Sequence, residues 1–384
     1  MDKKTYKLKD FAEPIAVAVT DPQKSCHNIF VGLEHYDSGE PVISRFSDTS
    51  LLNSSCKEFQ KNDILIARRN VYLRRAGIAP FDGLTSGDSI VLRLFEDCEE
   101  RTGISYDVAI KVIPFVLNSN SFWLYANRHA DGMNSKRISK EKVLDYEFDL
   151  PSLAEQKVLA EKLWAAYEVK QSYLKMIAAT EEMVKAQFVE MFGTIDEPKV
   201  EVKKLIDVVL TSGQYGSNTS AIDYQEGKPR YIRITDINDD GSLNDDIKTA
   251  EVIEDKYKLI PGDIVFARTG ATVGKTYMHE KGNAIYAGYL IKYQMNESKM
   301  KPTFLKAFTH SQTYYNWVAN SQKVGAQPNI SAAQYDNMPV LVPQIEKQEE
   351  FLTINHQSDK SISELRKSVD AIDKVIKSLI NENL

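Results

Sequence analysis

The chain has 384 residues, 48 Lys and Arg against 54 Asp and Glu, and a formal net charge of −6. Its apolar content of 42% and charged content of 27% are ordinary for a soluble globular protein, and the length favours two or three domains. The longest clean apolar run, 15–19, is too short to cross a bilayer, and the three cysteines lack the spacing of a disulfide framework or a zinc site. Since no signal-peptide pattern is present, we expect a cytoplasmic protein, and the acidic balance taken alone argues against a nucleic-acid partner.

The first 150 residues have the pattern of a β-rich domain, and a long helix is predicted to follow them. Short apolar runs at 64–67 and 89–94 are separated by Gly, Asp and Pro, as in strands joined by turns. After Pro151 the character changes, because Gly and Pro are absent up to residue 192. Proline is tolerated in a first helical turn, and about forty residues at roughly 1.5 Å each form a helix of about 60 Å. We predict this helix over 151–192.

The second half repeats this order of elements. Apolar runs at 264–267 and 289–293 predict strands, and apolar residues at mixed three- and four-residue spacings predict one helix over 302–321. The segment 343–384 again begins with proline and predicts a second long helix. Helices of this length cannot bury their apolar seams inside one compact lobe, so an antiparallel coiled coil is favoured over two ordinary core helices.

The residues assigned to the coiled-coil seam follow seven-residue spacings, or alternate three- and four-residue spacings. They are Tyr167, Leu174, Ile177, Val184, Phe188 and Met191 in the first helix, and Ile362, Leu365, Val369, Ile372, Ile376 and Leu379 in the second. A further set either faces outward to partner helices or packs within the pair, and the sequence leaves both open: Leu159, Trp164, Tyr173 and Phe188.

An internal repeat connects the two halves. The string KNDILIAR at 61–68 returns as PGDIVFAR at 261–268, and PSLAEQ at 151–156 returns as PQIEKQ at 343–348. Between them, 30–34 is echoed by 232–236, and 137–139 stands opposite 329–331. Because four landmarks recur in the same order, we interpret the chain as a duplicated unit.

Catalytic and nucleotide-binding motifs are not found in the sequence. The segment 270–275 resembles a phosphate-binding loop, but only three residues separate its glycines where four are needed, and the residues that follow read as strand and turn. A tight turn between strands is therefore favoured there. The six histidines are not at metal-ligand spacing. We predict a non-catalytic chain with no metal and no cofactor.

Positive charge is concentrated at matching parts of the halves. Between 61 and 93 six basic residues stand against three acids, and between 128 and 142 five stand against two. In the second half Arg268, Lys275 and Lys281 follow the repeated strand. Arginine binds guanine edges and phosphates, so basic segments at the same point of both repeats favour DNA contact over an ordinary solvated face.

The double plan resembles the specificity subunits of type I restriction–modification systems. The strings that carry the resemblance are GDIVFARTGATVGK at 262–275, LPSLAEQK at 150–157, YIRITDI at 231–237 and GAQPNIS at 325–331. The resemblance extends over essentially the whole chain. It implies an α+β protein with two mixed α/β target recognition domains in tandem repeat, at 1–150 and 193–342, separated by two long helices, 151–192 and 343–384, that form an antiparallel coiled coil.

The resemblance also implies a function. Each domain would read one half of a split double-stranded DNA target, and the helices would set the distance between the halves and dock two methyltransferase (M) subunits. Restriction (R) subunits would join the full complex. S-adenosylmethionine and ATP would then belong to the partner subunits. Because the first domain has RNVYLRR at 69–75 where the second has TGATVGK at 269–275, the DNA target should be asymmetric.

Arg68 and Arg268, which end the repeated strand, are the first candidates for DNA contact. The full set is Arg68, Arg69, Arg74, Arg75 and Arg137 in the first half, and Arg233, Arg268, Lys275, Lys323, Gln327 and Asn329 in the second. Two alternatives remain open from the residues alone. One is a coiled-coil adaptor whose repeated domains bind protein, and the other is an ATPase that uses the loop at 270–275.

Overall fold

A computed structural model describes residues 3–133, 135–322 and 328–384. These residues divide into two compact units. The first contains the described residues up to Lys175 together with Leu365–Leu384, and the second is Met176–Glu364.

The first unit is a mixed α/β structure. Its helices are α1 Cys98–Thr102, α2 Tyr106–Val116, α3 Asn120–His129 and α4 Lys140–Leu144, and it contains the start of α5, Leu153–Phe192. Its strands are β1 Lys4–Lys7, β2 Ala12–Ile15, β3 Ala18–Val19, β4 Ile29–Val31, β5 Ser47–Asp48, β6 Cys56–Phe59, β7 Ile64–Ala67, β8 Ala76–Ile78, β9 Gly83–Thr85, β10 Ser89–Leu94 and β11 Glu147–Leu150. They form a pair β1-β11, a sheet in the order β2-β10-β7-β8, and a sheet in the order β3-β6-β9-β4-β5.

The repeated strand β7 separates two cores, which explains its continuous apolar sequence. Alternate side chains of a strand point to opposite faces. Ile64 and Ile66 enter the core that also contains residues of α2 and α3, whereas Leu65 and Ala67 enter a smaller core that also contains Val31. A strand covered on both faces has no position for a polar side chain.

The second unit repeats the strand pair and the four-stranded sheet of the first with different side chains, whereas two further strand pairs stand in place of the five-stranded sheet. Its strands are β12 Glu201–Lys204, β13 Gln214–Tyr215, β14 Ala221–Asp223, β15 Arg230–Ile232, β16 Lys248–Ala250, β17 Ile264–Ala267, β18 Thr276–Met278, β19 Ala284–Tyr286, β20 Leu290–Tyr293 and β21 Pro339–Val342. Its helices are α6 Pro302–Phe308, α7 Gln312–Ser321 and α8 Ala332–Asp336, with parts of α5 and of α9, Ile345–Asn383. The sheet β13-β20-β17-β18 corresponds to β2-β10-β7-β8, and the pair β12-β21 to β1-β11.

The single helix predicted over 302–321 is wrong in its continuity. The structure has two helices, α6 and α7, with Thr309, His310 and Ser311 between them. The backbone of Ser311 is extended, and its hydroxyl accepts a hydrogen bond from the N–H of Tyr314 at 3.3 Å. Ser311 is therefore the N-cap of α7, and a serine cap favours a new helix start over continuation.

The two long helices pair antiparallel within the units. In the first unit Leu159, Leu163 and Tyr167 of α5 share an apolar cluster with Ile376 and Ile380, near the end of α9. In the second unit the later part of α5 meets the start of α9. There Phe188 and Phe192 lie with ring centroids 5.3 and 5.7 Å from Phe351. The predicted fold class, two mixed α/β domains in tandem repeat with a pair of long antiparallel helices, is confirmed.

Candidate nucleic-acid interface

The two arginines at the ends of β7 and β17 occupy equivalent places. The carbonyl of Arg68 accepts the N–H of Ile138 at 3.0 Å, and the carbonyl of Arg268 accepts the N–H of Ile330 at 2.8 Å. The segment before α4, or before α8, is thus hydrogen-bonded to the end of the repeated strand. The pairing of 137–139 with 329–331 that the sequence repeat indicated is present in the backbone.

In the first unit this junction gathers arginines around one acid. Arg69 and Arg137 form an antiparallel β-bridge, and both guanidiniums approach Asp88 Oδ2, at 3.9 Å from Arg69 Nη1 and 3.2 Å from Arg137 Nη2. Each arginine side chain remains nearly half exposed, at 46% and 47%. One carboxylate cannot neutralise two guanidiniums, so this surface keeps a net positive charge.

The turn that follows Arg69 has an unusual backbone. Asn70 and Arg74 both have positive φ, 55° and 53°, and enclose a short helical turn at Val71–Leu73. Arginine rarely adopts this region, and such residues concentrate at functional sites. The Arg74 guanidinium donates to Asn120 Oδ1 at 2.8 Å and is exposed. The side chain of Tyr72, at the tip of the turn, is 61% exposed.

Arg75 holds this turn through hydrogen bonds to the backbone. Its guanidinium donates to the carbonyl of Leu33 at 2.7 Å and to that of Arg69 at 3.0 Å. Burial lowers the pKa of Arg75. Because its donors are directed at the backbone, Arg75 positions Arg69, and of the two it is Arg69 that faces solvent.

In the second unit the equivalent junction is less charged. Thr269 and Asn329 form the β-bridge there, and the Asn329 side-chain oxygen accepts from Arg268 Nη2 at 3.2 Å. The Arg268 guanidinium also lies 4.8 Å from the ring centroid of Tyr215. Lys275 is paired with Asp239, at 2.8 Å. This site combines one arginine with amide and aromatic groups, whereas the first combines several arginines.

Arg233 lies in an ion-pair cluster. Its guanidinium binds the buried carboxylate of Asp236 and also Asp246, at 2.9 Å. The hydrogen bond to Asp236 raises the pKa of Arg233. Its donors are therefore used within the unit, and its contact with DNA stays a prediction. Lys323 and Gln327 lie outside the described residues.

The seam residues differ in burial. Tyr167, Ile177 and Phe188 are buried, and Leu174 is 39% exposed. The rest are partly buried: Val184 and Met191 of α5, and Ile362, Leu365, Val369, Ile372, Ile376 and Leu379 of α9.

The structure resolves most of the set that the sequence left open. Leu159 and Phe188 are buried, and the half-buried Trp164 indole donates to the carbonyl of Lys111 at 2.9 Å. These three pack inside their units. The more exposed apolar side chains of α5 are Leu153, Val158, Val169, Leu174, Met176, Met183 and Val189.

Sequence reasoning missed the groups that surround the arginines. Asp88 joins Arg69 to Arg137 only because the chain returns to the same strand end, and no spacing signals that. Lys140 could have been found from the repeat, because it is the first residue of α4, which matches α8, and it stands opposite Ala332. No helix in the described part of the chain combines the length and apolarity of a membrane crossing, and no metal-binding cluster of acid, His or Cys residues occurs within those same residues.

Comparison with known proteins finds consistent similarities. Residues 197–372 match the family described as Type I restriction modification DNA specificity domain. The chain is 24% identical over 362 residues to the Type I restriction enzyme EcoKI specificity subunit of Escherichia coli strain K12, covering 84% of this chain and 76% of that protein.

Two solved structures share the fold along nearly the whole chain. One comes from a study of complex assembly and conformational transition of the type I R-M system. It is 16% identical to this chain with a TM-score of 0.56, and the match covers 99% of this chain and 97% of the other. The second is the type I restriction–modification S subunit from M. genitalium, at 13% identity and a TM-score of 0.55, covering 99% and 95%. The family match thus covers residues 197–372, and the fold along nearly the whole chain is the one seen in a type I restriction–modification S subunit.

Proposed function

We propose that this chain is the non-catalytic DNA-reading subunit of a type I restriction–modification complex, in which residues 1–150 and 193–342 are target recognition domains. Each domain reads one half of an asymmetric bipartite DNA target. The observation that carries this proposal is the pair of equivalently held arginines, Arg68 and Arg268, surrounded by different side chains in the two halves. Equivalent scaffolds with different groups are what two different half-sites require.

The first domain offers guanidinium groups, and the second offers an amide beside one arginine. Arginine binds guanine bidentately, and asparagine binds adenine bidentately. Arg69 and Arg137 are the candidates for base or phosphate contact in the first domain, and Arg268 and Asn329 in the second. The net charge of −6 does not oppose this function, because the candidate segments are locally basic.

The long helices, 151–192 and 343–384, hold the spacing of the half-sites and dock two M subunits, and R subunits complete the complex for cleavage. Methylation and ATP-driven steps belong to those partners. An insertion of four residues after Ala178 lengthens α5 by about 6 Å. This is close to two base-pair steps of about 3.4 Å. The unspecified spacer in the methylated motif should change accordingly, and an unchanged spacer would contradict this role.

Methylation mapping tests the two-domain reading directly. In cells with the M subunits, Arg137→Asn should relax or change one half of the methylated motif, and Asn329→Ala should affect only the other half. Lys9→Ala, on the first domain but outside the junction, is the matched control and should leave the motif intact. Equal loss at both halves from either variant would show that the domains do not read separately.

A further inference from the structure

A cationic cavity lies beside the junction of the first unit. It has a volume of about 190 Å³, and its walls come from residues 14–16 of the chain and from β10. Three basic side chains also line it: Lys57, Arg68 and Lys140. Since one water molecule occupies about 30 Å³ of liquid, the space corresponds to roughly six waters. It is large enough for a tetrahedral oxyanion.

The positive charge in this cavity is only partly compensated by acids, since Glu141 interacts with Lys140 and Arg68, and Asp88 interacts with Lys57. None of the three basic side chains has a carboxylate within 4.0 Å there, and the nearby Asp88 is already shared by Arg69 and Arg137. The Nε atoms of Arg68 and of its equivalent Arg268 are both buried without a hydrogen-bond partner in the described part of the chain. A buried guanidinium donor without a partner costs free energy unless a ligand supplies an acceptor.

Lys57 is held at the wall of the cavity by the backbone. Its ammonium donates to the carbonyls of Gly87 and Ser89, at 2.9 and 2.6 Å. Burial, followed by the charges of Arg68 and Lys140, lowers the pKa of Lys57. The three cations therefore repel one another at this site, and an anion between them would relieve that repulsion.

The second unit shows what happens when the same space is filled from within. Tyr215 lies opposite Ile291 in the β13–β20 pair, and its neighbour Gln214 takes the place of Ile15, so Tyr215 corresponds to Ala16 of the first unit. The Tyr215 ring contacts Arg268, and its hydroxyl accepts the N–H of Ala332 at 3.0 Å. The ring thus spans from the arginine to the residue that replaces Lys140. In the first unit a shorter side chain leaves this space open, and a lysine is added at its rim.

We propose that the cavity of the first unit binds a phosphate group, with Arg68, Lys57 and Lys140 as its cationic ligands. Phosphate oxygens form strong charge-assisted hydrogen bonds with guanidinium and ammonium groups. A backbone phosphate of DNA and a free phosphate-bearing small molecule present the same chemistry. The inference rests on the proposed function only where the phosphate belongs to DNA.

Binding of inorganic phosphate to the full chain is the first measurement. Titration followed by calorimetry at low ionic strength should give one saturable site. Lys140→Ala, which copies Ala332, should weaken this binding at least tenfold, and Ala16→Tyr, which copies Tyr215, should abolish it. Lys142→Ala removes the same charge from the same helix outside the cavity and should bind phosphate normally. Equal phosphate binding by wild type and Lys140→Ala would overturn the site, even if the Ala16→Tyr variant does not fold.

Salt-dependent binding of duplex DNA by the methyltransferase complex identifies the source of the phosphate. If a DNA phosphate occupies the cavity, Lys140→Ala should reduce the slope of log affinity against log salt by about 0.9, and Lys142→Ala should not. A site that binds inorganic phosphate without this change in slope takes a free phosphate compound. If the chain does not bind inorganic phosphate and Lys140→Ala does not change the salt slope, the inference is overturned. The proposed function still stands in that case as long as the complex binds DNA. A complex that does not bind DNA contradicts the proposed function, and the phosphate titration still decides the site.

Discussion

The turn after β7 and the turn after β17 have positive φ at the same two positions and carry different side chains there. In the second unit Gly270 and Gly274 have φ of 72° and 87°, and in the first Asn70 and Arg74 take up the same left-handed conformation. Glycine adopts this region at almost no cost, whereas an arginine there is strained. The first unit therefore has the same two left-handed positions as the second, with an asparagine and an arginine in place of the glycines. In a duplicated scaffold, a residue that the backbone disfavours indicates where the side chain is needed.

The paired helices differ in the same way at one equivalent position. Gln156 and Gln348 each donate to the carbonyl of the proline that begins their segment, at 2.8 Å in both units, and fourteen residues later stand Lys170 and Ile362. Ile362 is an ordinary seam residue. Lys170 is buried instead, with its ammonium bound to Asp373 at 2.7 Å and to Glu40. The first unit thus uses charge where the second uses an apolar contact.

Replacement of Lys170 should have the largest effect on stability. Burial lowers the pKa of Lys170, but its hydrogen bonds to Asp373 and Glu40 outweigh this and raise the pKa overall. Lys170→Met would leave the carboxylates of Asp373 and Glu40 without a counter-charge. One oxygen of the Glu40 carboxylate is already buried without a hydrogen-bond partner in the described residues. Breaking a buried ion pair in this way costs about 3 kcal/mol. We expect that loss in the free energy of unfolding, measured by denaturant titration of the full chain.

Two controls separate the charge from the packing. Ile362→Met makes a similar change in the second unit and should cost less than about 1.5 kcal/mol, because it conserves volume. Neutralising the partners as well, with Glu40→Gln and Asp373→Asn in the Lys170→Met background, should restore most of the loss. A Lys170→Met variant as stable as wild type would contradict the role of this cluster.

The next largest effect should follow substitution of Gly274. A Cβ at this position would lie 2.7 Å from Val318 Cγ1, and the backbone has positive φ. A non-glycine residue in the left-handed region costs about 1–2 kcal/mol, and overpacking a core costs about 1–3 kcal/mol. Gly274→Ala should therefore destabilise the chain by about 2–3 kcal/mol in denaturant unfolding.

The reverse substitution in the first unit should have the opposite sign. Arg74→Gly relieves the left-handed strain at the cost of one exposed hydrogen bond to Asn120. Its unfolding free energy should be unchanged or slightly higher. If Arg74→Gly and Gly274→Ala destabilise the chain equally, the two turns are not the same structure with different side chains.

The sequence predicted much of the scaffold and less of the site. Strands β7 and β17 were predictable because continuous apolar runs of this length suit a strand buried on both faces. The interruption at Ser311 was missed, since its cap depends on one hydrogen bond within a stretch of continuous apolar spacing. The positions of Arg68 and Arg268 followed from the repeat. The acid between Arg69 and Arg137, and the packing of Leu159 and Phe188 inside their units, depend on tertiary contacts that no spacing encodes.

Asp63 and Asp263, which directly precede β7 and β17, should have smaller and unequal effects on stability. Asp63 is buried and binds Arg93 through two hydrogen bonds, at 2.8 and 2.7 Å. Hydrogen bonds to charged groups contribute about 1.5–3 kcal/mol. Asp63→Asn should therefore cost about 2 kcal/mol in unfolding free energy. Arg93→Lys should also lower the unfolding free energy, because lysine cannot form both hydrogen bonds of the bidentate contact. An Asp63→Asn variant with the unfolding free energy of wild type would show that the Asp63–Arg93 ion pair does not stabilise the strand.

The smallest effect is expected at Asp263, whose ion-pair partner is a lysine from a different strand position. Lys292 lies 3.8 Å from Asp263 Oδ2, and the other carboxylate oxygen is buried without a partner in the described residues. Burial raises the pKa of Asp263. A carboxyl whose pKa is higher in the folded than in the unfolded state binds its proton more tightly when folded. Its ionised form therefore lowers the unfolding free energy at pH values above the folded pKa, and this penalty disappears as the pH falls through that pKa. Asp263→Asn should change the unfolding free energy at neutral pH by less than about 1 kcal/mol. It should also flatten the dependence of stability on pH between neutrality and the ordinary range of carboxyl groups. An Asp263→Asn variant as damaging as Asp63→Asn would mean that lysine serves this carboxylate as well as arginine does.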